Sequence, residues 1–154
     1  MRVYLVQHGD AVPESVDEKK PLSQKGRRDV LRLAAACKAA GISAEEALHS
    51  GKRRAAESAE LLAEALKIPA KAVAGMDPLD PVRVFAEEVG AWTEDKIVVG
   101  HLPFLERLAA LLVAGREDPP VVSFQRGGMV CLERLERTWC VLWTALPNQP
   151  HMEP

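Results

Sequence analysis

The longest uninterrupted apolar run, Leu108 to Ala114, falls far short of the roughly 20 residues a membrane-crossing helix requires. The amino terminus is equally poor in apolar length: Met1 to Val6 runs straight into Gln7, His8 and Asp10, without the flanks of a secretory signal. Both absences predict a cytoplasmic protein with no membrane partner. Cysteine is scarce too. Cys37, Cys131 and Cys140 make no Cys-x-x-Cys pair and leave an odd count, which excludes a zinc knuckle or a disulfide framework and predicts ordinary buried thiols. Charge of one sign is lacking as well: 20 Lys and Arg against 22 Asp and Glu give a formal net charge of -2, so no global field draws the chain to nucleic acid. Any anion site must be local. There is no internal repeat and no low-complexity segment. What is present is an ordinary globular composition, 47% hydrophobic and 27% charged over 154 residues, enough for one domain with a real core.

Val3 to Val6 reads as a buried strand that stops at His8-Gly9. Ser23 is a candidate N-cap for a helix carrying Val30, Leu33 and Ala34 and ending at Gly41. Ala47 to His49 is a short strand that turns through Ser50-Gly51 into a helix with Ala55, Ala59, Leu62 and Leu66 on one face. Ile68-Pro69 ends that helix, and Ala70 to Ala74 is a further strand. Met76 to Pro81 is a loop, Val82 to Val89 a short helix, and Ile97 to Val99 a strand ending at Gly100-His101. Leu102, Leu105, Leu108 and Leu112 then repeat at helical spacing as far as Ala114. Met129 to Leu132 and Trp139 to Trp143 flank a polar turn, Glu133 to Thr138, and predict a terminal antiparallel hairpin. The order predicts a three-layer α/β/α sandwich with a mostly parallel central sheet, followed by a loose tail from Pro147 to Pro154.

In such sheets ligands gather beyond the carboxyl ends of the strands. Past the first strand stand Gln7, His8, Gly9 and Asp10. The second leads to His49, Ser50, Gly51, Lys52, Arg53 and Arg54, and the strand of Ile97 to Gly100, His101, Leu102 and Pro103. Two imidazoles and a basic cluster at one rim suit a phosphoryl group. A neutral imidazole can attack phosphorus, a guanidinium binds non-bridging oxygens in a fork, and Gly9 lets the backbone come close. The helix opening after Ser50 adds an anion-favouring amino end. This chemistry calls for no metal and no cofactor. His49 and His151 receive no catalytic role, and the leucine stripe after Leu102 is core.

Gln7-His8-Gly9-Asp10-Ala11, Pro21 to Gly26, Ser50 to Arg54 followed by Ala55, and Val98 to Pro103 resemble, in order and spacing, the histidine phosphatase superfamily. The short chain and the His-Gly-Asp-Ala sequence are similar to its SixA-type phosphohistidine phosphatases. The resemblance runs from Val3 to about Trp143 and implies a phosphoglycerate mutase-like domain over residues 1–146. It implies His8 as nucleophile, with Arg54 and His101 holding the phosphoryl oxygens. It also implies hydrolysis through a phosphohistidine intermediate, on a phosphorylated protein such as a histidine-containing phosphotransfer domain.

Two positions depart from the family pattern. Gln7 stands where the family has arginine, and Gly51 where it often has proline. Glutamine can still donate a hydrogen bond to a phosphoryl oxygen but brings neither charge nor fork, which costs roughly a hundredfold in rate. Gln7→Arg is therefore expected to raise turnover, unless the pocket compensates elsewhere. The departure keeps a small phosphorylated metabolite as substrate, or a non-catalytic phosphate- or phosphoprotein-binding domain, as alternative readings. Asp77 and Asp80 are the candidates for a general acid.

Overall fold

A computed structural model describes residues 1–149. Six strands form one sheet: β1 (Arg2–Gln7), β2 (Ala47–His49), β3 (Ala70–Ala72), β4 (Lys96–Gly100), β5 (Met129–Leu135) and β6 (Thr138–Ala145). Their spatial order is β3-β2-β4-β1-β5-β6, parallel from β3 to β1 and antiparallel through β5 and β6. Four helices cover the faces: α1 (Gln24–Ala39), α2 (Arg53–Leu66), α3 (Val82–Ala91) and α4 (Phe104–Ala114).

The strand period of two sorts side chains between the faces. Tyr4, Val6, Ile97, Val99, Met129 and Cys131 pack with α1 and α2 through Val30, Leu33, Ala59 and Leu62. Their neighbours Val3, Leu5, Val98, Val130 and Leu132 pack with α3 and α4 through Phe85, Val89, Phe104 and Leu108. Both faces are covered, which is why β1 and β4 read as continuous apolar runs. Three layers around a mostly parallel sheet are what the element order predicts.

The differences lie at element ends. Helix α4 begins at Phe104, two residues later than the leucine pattern predicts. The hairpin is longer than expected: Leu135 pairs with Thr138, so only Glu136 and Arg137 form the turn, with Glu136 at φ 57. Positive φ is what a two-residue hairpin turn requires. The polar residues Glu133 and Arg134 extend the strand because each finds a partner there. Glu133 pairs with Arg2 at 3.2 Å, and Arg134 donates to the Trp92 carbonyl at 2.8 Å.

Helix α1 is capped as its sequence announces, Ser23 Oγ accepting from the Gly26 amide at 3.0 Å. A Cβ on Gly26 would lie 2.0 Å from the Asp10 carbonyl oxygen, and one on Gly9 would lie 2.8 Å from the Gly26 carbonyl oxygen. The two glycines thus let the loop after β1 lie directly on the start of α1. That contact fixes where the chain leaves the sheet. His151 and the end of the expected tail lie outside the described residues. No helix among the described residues is long and apolar enough to cross a membrane.

Candidate active site at the carboxyl rim of the sheet

Strands β1 and β4 are adjacent and in register, Gln7 opposite Gly100, so the residues that follow them, His8 and His101, emerge side by side. Their ring centroids are 5.0 Å apart with planes tilted by 52°. The backbone adds a tie, the His8 amide donating to the Gly100 carbonyl at 3.1 Å. The pair expected from the strand ends is therefore assembled.

His8 is 8% exposed. Its Nδ1 lies 2.7 Å from the Gly9 carbonyl oxygen, which can only accept, so Nδ1 carries the proton and Nε2 keeps its lone pair. Nε2 faces Arg54, whose Nε donates to it at 3.3 Å. Burial lowers the His8 pKa from 6.5 to about 4; the Gly9 bond opposes the shift and the Arg54 charge adds to it. The imidazole is thus neutral at pH 7, the state a nucleophile needs.

His101 is 2% exposed, its Nε2 2.6 Å from Ser50 Oγ, while its buried Nδ1 has no protein partner. Burial first, then His8, lowers its pKa to about 3. Ser50 reaches His101 because β2 pairs with β4, His49 opposite Val99. Arg54 sits in the first turn of α2, and Ser58 one turn on accepts the Gly9 amide at 3.1 Å. The amide of Gly9 is thereby occupied, and the need for glycine at that position comes from α1.

The three cations after Gly51 separate. Arg53 pairs with Glu57 at 3.1 Å and Lys52 with Asp77 at 3.8 Å, both near the surface, and Arg54 alone turns to His8. His49 accepts the Gly51 amide at 3.1 Å and so shapes the turn, with Gly51 at φ 87. Gln7 is 8% exposed, its Oε1 buried without a partner. Asp77 and Asp80 are not brought to His8. The Asp80 carboxylate accepts the Asp77 amide at 2.8 Å, and neither residue lines the cavity described next.

That cavity, of about 430 Å³, is lined by His8 and Arg54 together with Lys20, Glu14 and Arg126. Arg126 is the residue the sequence reading missed. It precedes β5, and a search confined to residues following strands passes over it. Because β5 runs antiparallel to β1, with Met129 opposite Val6, its beginning lies at the same rim as the end of β1. The Gly127-Gly128 pair, sitting just before an antiparallel strand, was the available signal.

Fold and cavity define an α/β protein built around a neutral imidazole and a cationic rim, an arrangement suited to phosphoryl groups. Residues 3–80 match the profile of the histidine phosphatase superfamily (branch 1), half of the chain, and the chain belongs to that superfamily. Among curated proteins, phosphohistidine phosphatase SixA of Escherichia coli (strain K12) is 27% identical over 140 residues, 86% of each chain. Among solved structures, the protein histidine phosphatase SixA complexed with tungstate superposes with a TM-score of 0.85 at 24% identity, over 96% of this chain and 98% of that one. A protein assigned as phosphohistidine phosphatase SixA from Agrobacterium tumefaciens gives 0.75 at 18% identity, over 93% and 96%.

Proposed function

We propose that the protein is a phosphohistidine phosphatase that removes phosphoryl groups from protein histidines through a covalent intermediate on His8. The observation that carries this reading is the state of His8. It is a buried neutral imidazole, with Nδ1 committed to the Gly9 carbonyl and Nε2 directed at Arg54 in an open cavity. The likeness to SixA of Escherichia coli supports the substrate class.

In the first step the Nε2 lone pair of His8 forms a bond to phosphorus while the bond to the substrate ring, which carries a proton on its other nitrogen, breaks, and the electron pair leaves with that ring as neutral imidazole. Arg54 binds two phosphoryl oxygens and offsets the charge that gathers on them. His101, whose ring centroid lies 5.0 Å from that of His8 and whose Nε2 contacts Ser50 Oγ, is the third group that steadies the phosphoryl oxygens. Water then attacks the phosphorylated His8, releasing inorganic phosphate and restoring the imidazole. No metal takes part. The absence of Asp77 and Asp80 from the cavity suits this leaving group. An imidazole whose conjugate acid has a pKa of about 6.5 departs without the strong acid an alkoxide needs. The one carboxylate in the cavity lining, Glu14, is 73% exposed and lies 3.8 Å from Lys20.

The test is incubation of the purified protein with a phosphohistidine-bearing domain, followed by chemical mapping of bound phosphate. Acid-labile, base-stable phosphate on His8, with release abolished in His8→Ala, is the expected result. Release that survives His8→Ala sinks the mechanism. Equal turnover of an alkyl phosphate points instead to a small-metabolite phosphatase. Phosphate binding without turnover marks the non-catalytic domain that Gln7 favours.

A further inference from the structure

Residue 7 carries no guanidinium, yet the cavity has a second one. We propose that Arg126 is a phosphoryl-binding residue that supplies, from the loop before β5, the cation absent at residue 7, and that Asp10 positions it. The proposal rests on the reading of the His8 cavity as a phosphoryl site, and four observations carry it.

The first is placement. The Gly127 amide donates to the Gln7 carbonyl at 2.9 Å, with the His8 carbonyl at 3.3 Å. The chain that delivers Arg126 is therefore pinned to the backbone of residue 7 itself. Gly127 makes the crossing at φ 75, where a Cβ would come within 3.1 Å of Asp29.

The second is orientation. Arg126 Nη1 donates to Asp10 Oδ1 at 3.0 Å across 116 residues, and the other Asp10 oxygen, Oδ2, accepts from Ser23 Oγ at 2.7 Å. Ser23 is the cap of α1, so the guanidinium is anchored through Asp10 to the first turn of a helix. Asp10 is engaged on both oxygens, which limits its repulsion of an incoming anion.

The third is availability. The bond to Asp10 uses one of the five guanidinium N–H donors, leaving the others for a ligand. The pair is also half-solvated, with Arg126 60% and Asp10 32% exposed. Such pairs are weak, so turning part of the guanidinium toward a phosphoryl oxygen costs little. Lys52 and Arg53 offer no equivalent, since they are paired elsewhere and do not line the cavity.

The fourth is convergence. Arg54 and Arg126 line one cavity, and each disfavours a proton on His8. Arg126 also opposes the charge of Arg54. Two cations directed at one space repel until an anion enters between them, and a dianionic phosphoryl group satisfies both.

The experiment compares wild type with Arg126→Ala, Arg126→Lys, Asp10→Asn and Gln7→Arg, the last alone and combined with Arg126→Ala. Calorimetry with inorganic phosphate at fixed ionic strength is read beside dephosphorylation kinetics on a phosphohistidine-bearing domain. In Arg126→Ala, phosphate affinity falls about tenfold and kcat/KM about a hundredfold, the scale of one lost preorganised donor, while Tm stays unchanged. Arg126→Lys recovers part of each, because it restores charge without the fork. Gln7→Arg raises turnover more in the Arg126→Ala background than in wild type. Asp10→Asn weakens phosphate less than Arg126→Ala does, and adds nothing further in the Arg126→Ala background, as expected of a residue that acts through Arg126. Phosphate affinity unchanged in folded Arg126→Ala overturns the proposal, whatever happens to turnover, and so does a wild type that binds no phosphate. If the wild type binds phosphate through Arg126 but never phosphorylates His8, the reaction proposed above fails while the role of Arg126 stands.

Discussion

At the floor, the His8 ring that lines the cavity and the His101 ring packed beside it, 5.0 Å away, are 8% and 2% exposed, and each has one ring nitrogen within hydrogen-bonding distance of a protein oxygen. At its rim, Arg126 and Lys20 are 60% and 40% exposed and are paired with Asp10 and Glu14, carboxylates that are 32% and 73% exposed. The floor is set by strand register and backbone carbonyls, so its chemistry is built in before any ligand arrives. The rim is set by long side chains whose pairs are weak, so it can rearrange around whatever anion comes in. Preorganisation therefore belongs to the nucleophile, and adaptability to the groups that meet the substrate.

The largest break in this comparison is removal of the nucleophile. His8→Ala is expected to lower phosphate release by at least about four orders of magnitude, as loss of a nucleophile does elsewhere, with the fold retained. Loss of a rim cation such as Arg126 costs only about a hundredfold. Steady-state rates of the two variants on one substrate check the ranking, and equal losses would erase the distinction between floor and rim.

Next in size is the support beneath the floor. Gly26→Ala forces a Cβ to within 2.0 Å of the Asp10 carbonyl, a backbone atom that cannot swing aside. The expected cost is about 3 kcal/mol, or a fall in Tm of about 10 °C, read by thermal unfolding. The same scan on Arg126→Ala is expected to show no change.

The floor was legible in the sequence and the rim was not, for a physical reason. Apolar runs ending at His8 and His101 announce two buried parallel strands, and neighbouring parallel strands bring their carboxyl ends together. Arg54 was singled out among its basic neighbours by the resemblance to the family motif, four residues past Ser50 and just before Ala55. Arg126 reaches the rim only because β5 reverses direction and Gly127 bonds to Gln7, a pairing across the whole chain that no local pattern records. The hairpin length escaped for a similar reason: Glu133 and Arg134 are turn-like alone and strand-forming beside Arg2 and Trp92.

A smaller perturbation sharpens the floor alone. Ser50→Ala removes the hydroxyl 2.6 Å from His101 Nε2, leaving a buried ring with no protein partner on either nitrogen. We expect kcat to fall about tenfold with KM nearly constant, since the loss falls on the orientation of a group that acts in the transition state. Threonine at this position, which keeps the hydroxyl, should recover most of the rate. A rise in KM with kcat intact would move Ser50 from the floor to the rim.

The subtlest test is the acid limb of the pH profile, and its sign follows from burial. An imidazole of ordinary pKa, near 6.5, is only about 9% neutral at pH 5.5, which would cost kcat/KM about tenfold relative to higher pH. With the His8 pKa lowered to about 4, the ring is still almost wholly neutral at pH 5.5. After correction for substrate ionisation and uncatalysed loss, kcat/KM should therefore change by less than about twofold between pH 7 and pH 5.5. The same shift has an opposite face in stability. The unfolded chain takes up a proton on His8 near 6.5 while the folded one resists until about 4, and His101 behaves likewise down to about 3. Folding stability is complete above 6.5 and declines as the pH falls through that interval. Activity that holds while Tm drops over one pH range would show that the floor keeps its nucleophile neutral at the expense of its fold. A kcat/KM that falls about tenfold by pH 5.5 would mean instead that His8 titrates as an exposed imidazole does and adds nothing to the pH dependence of Tm.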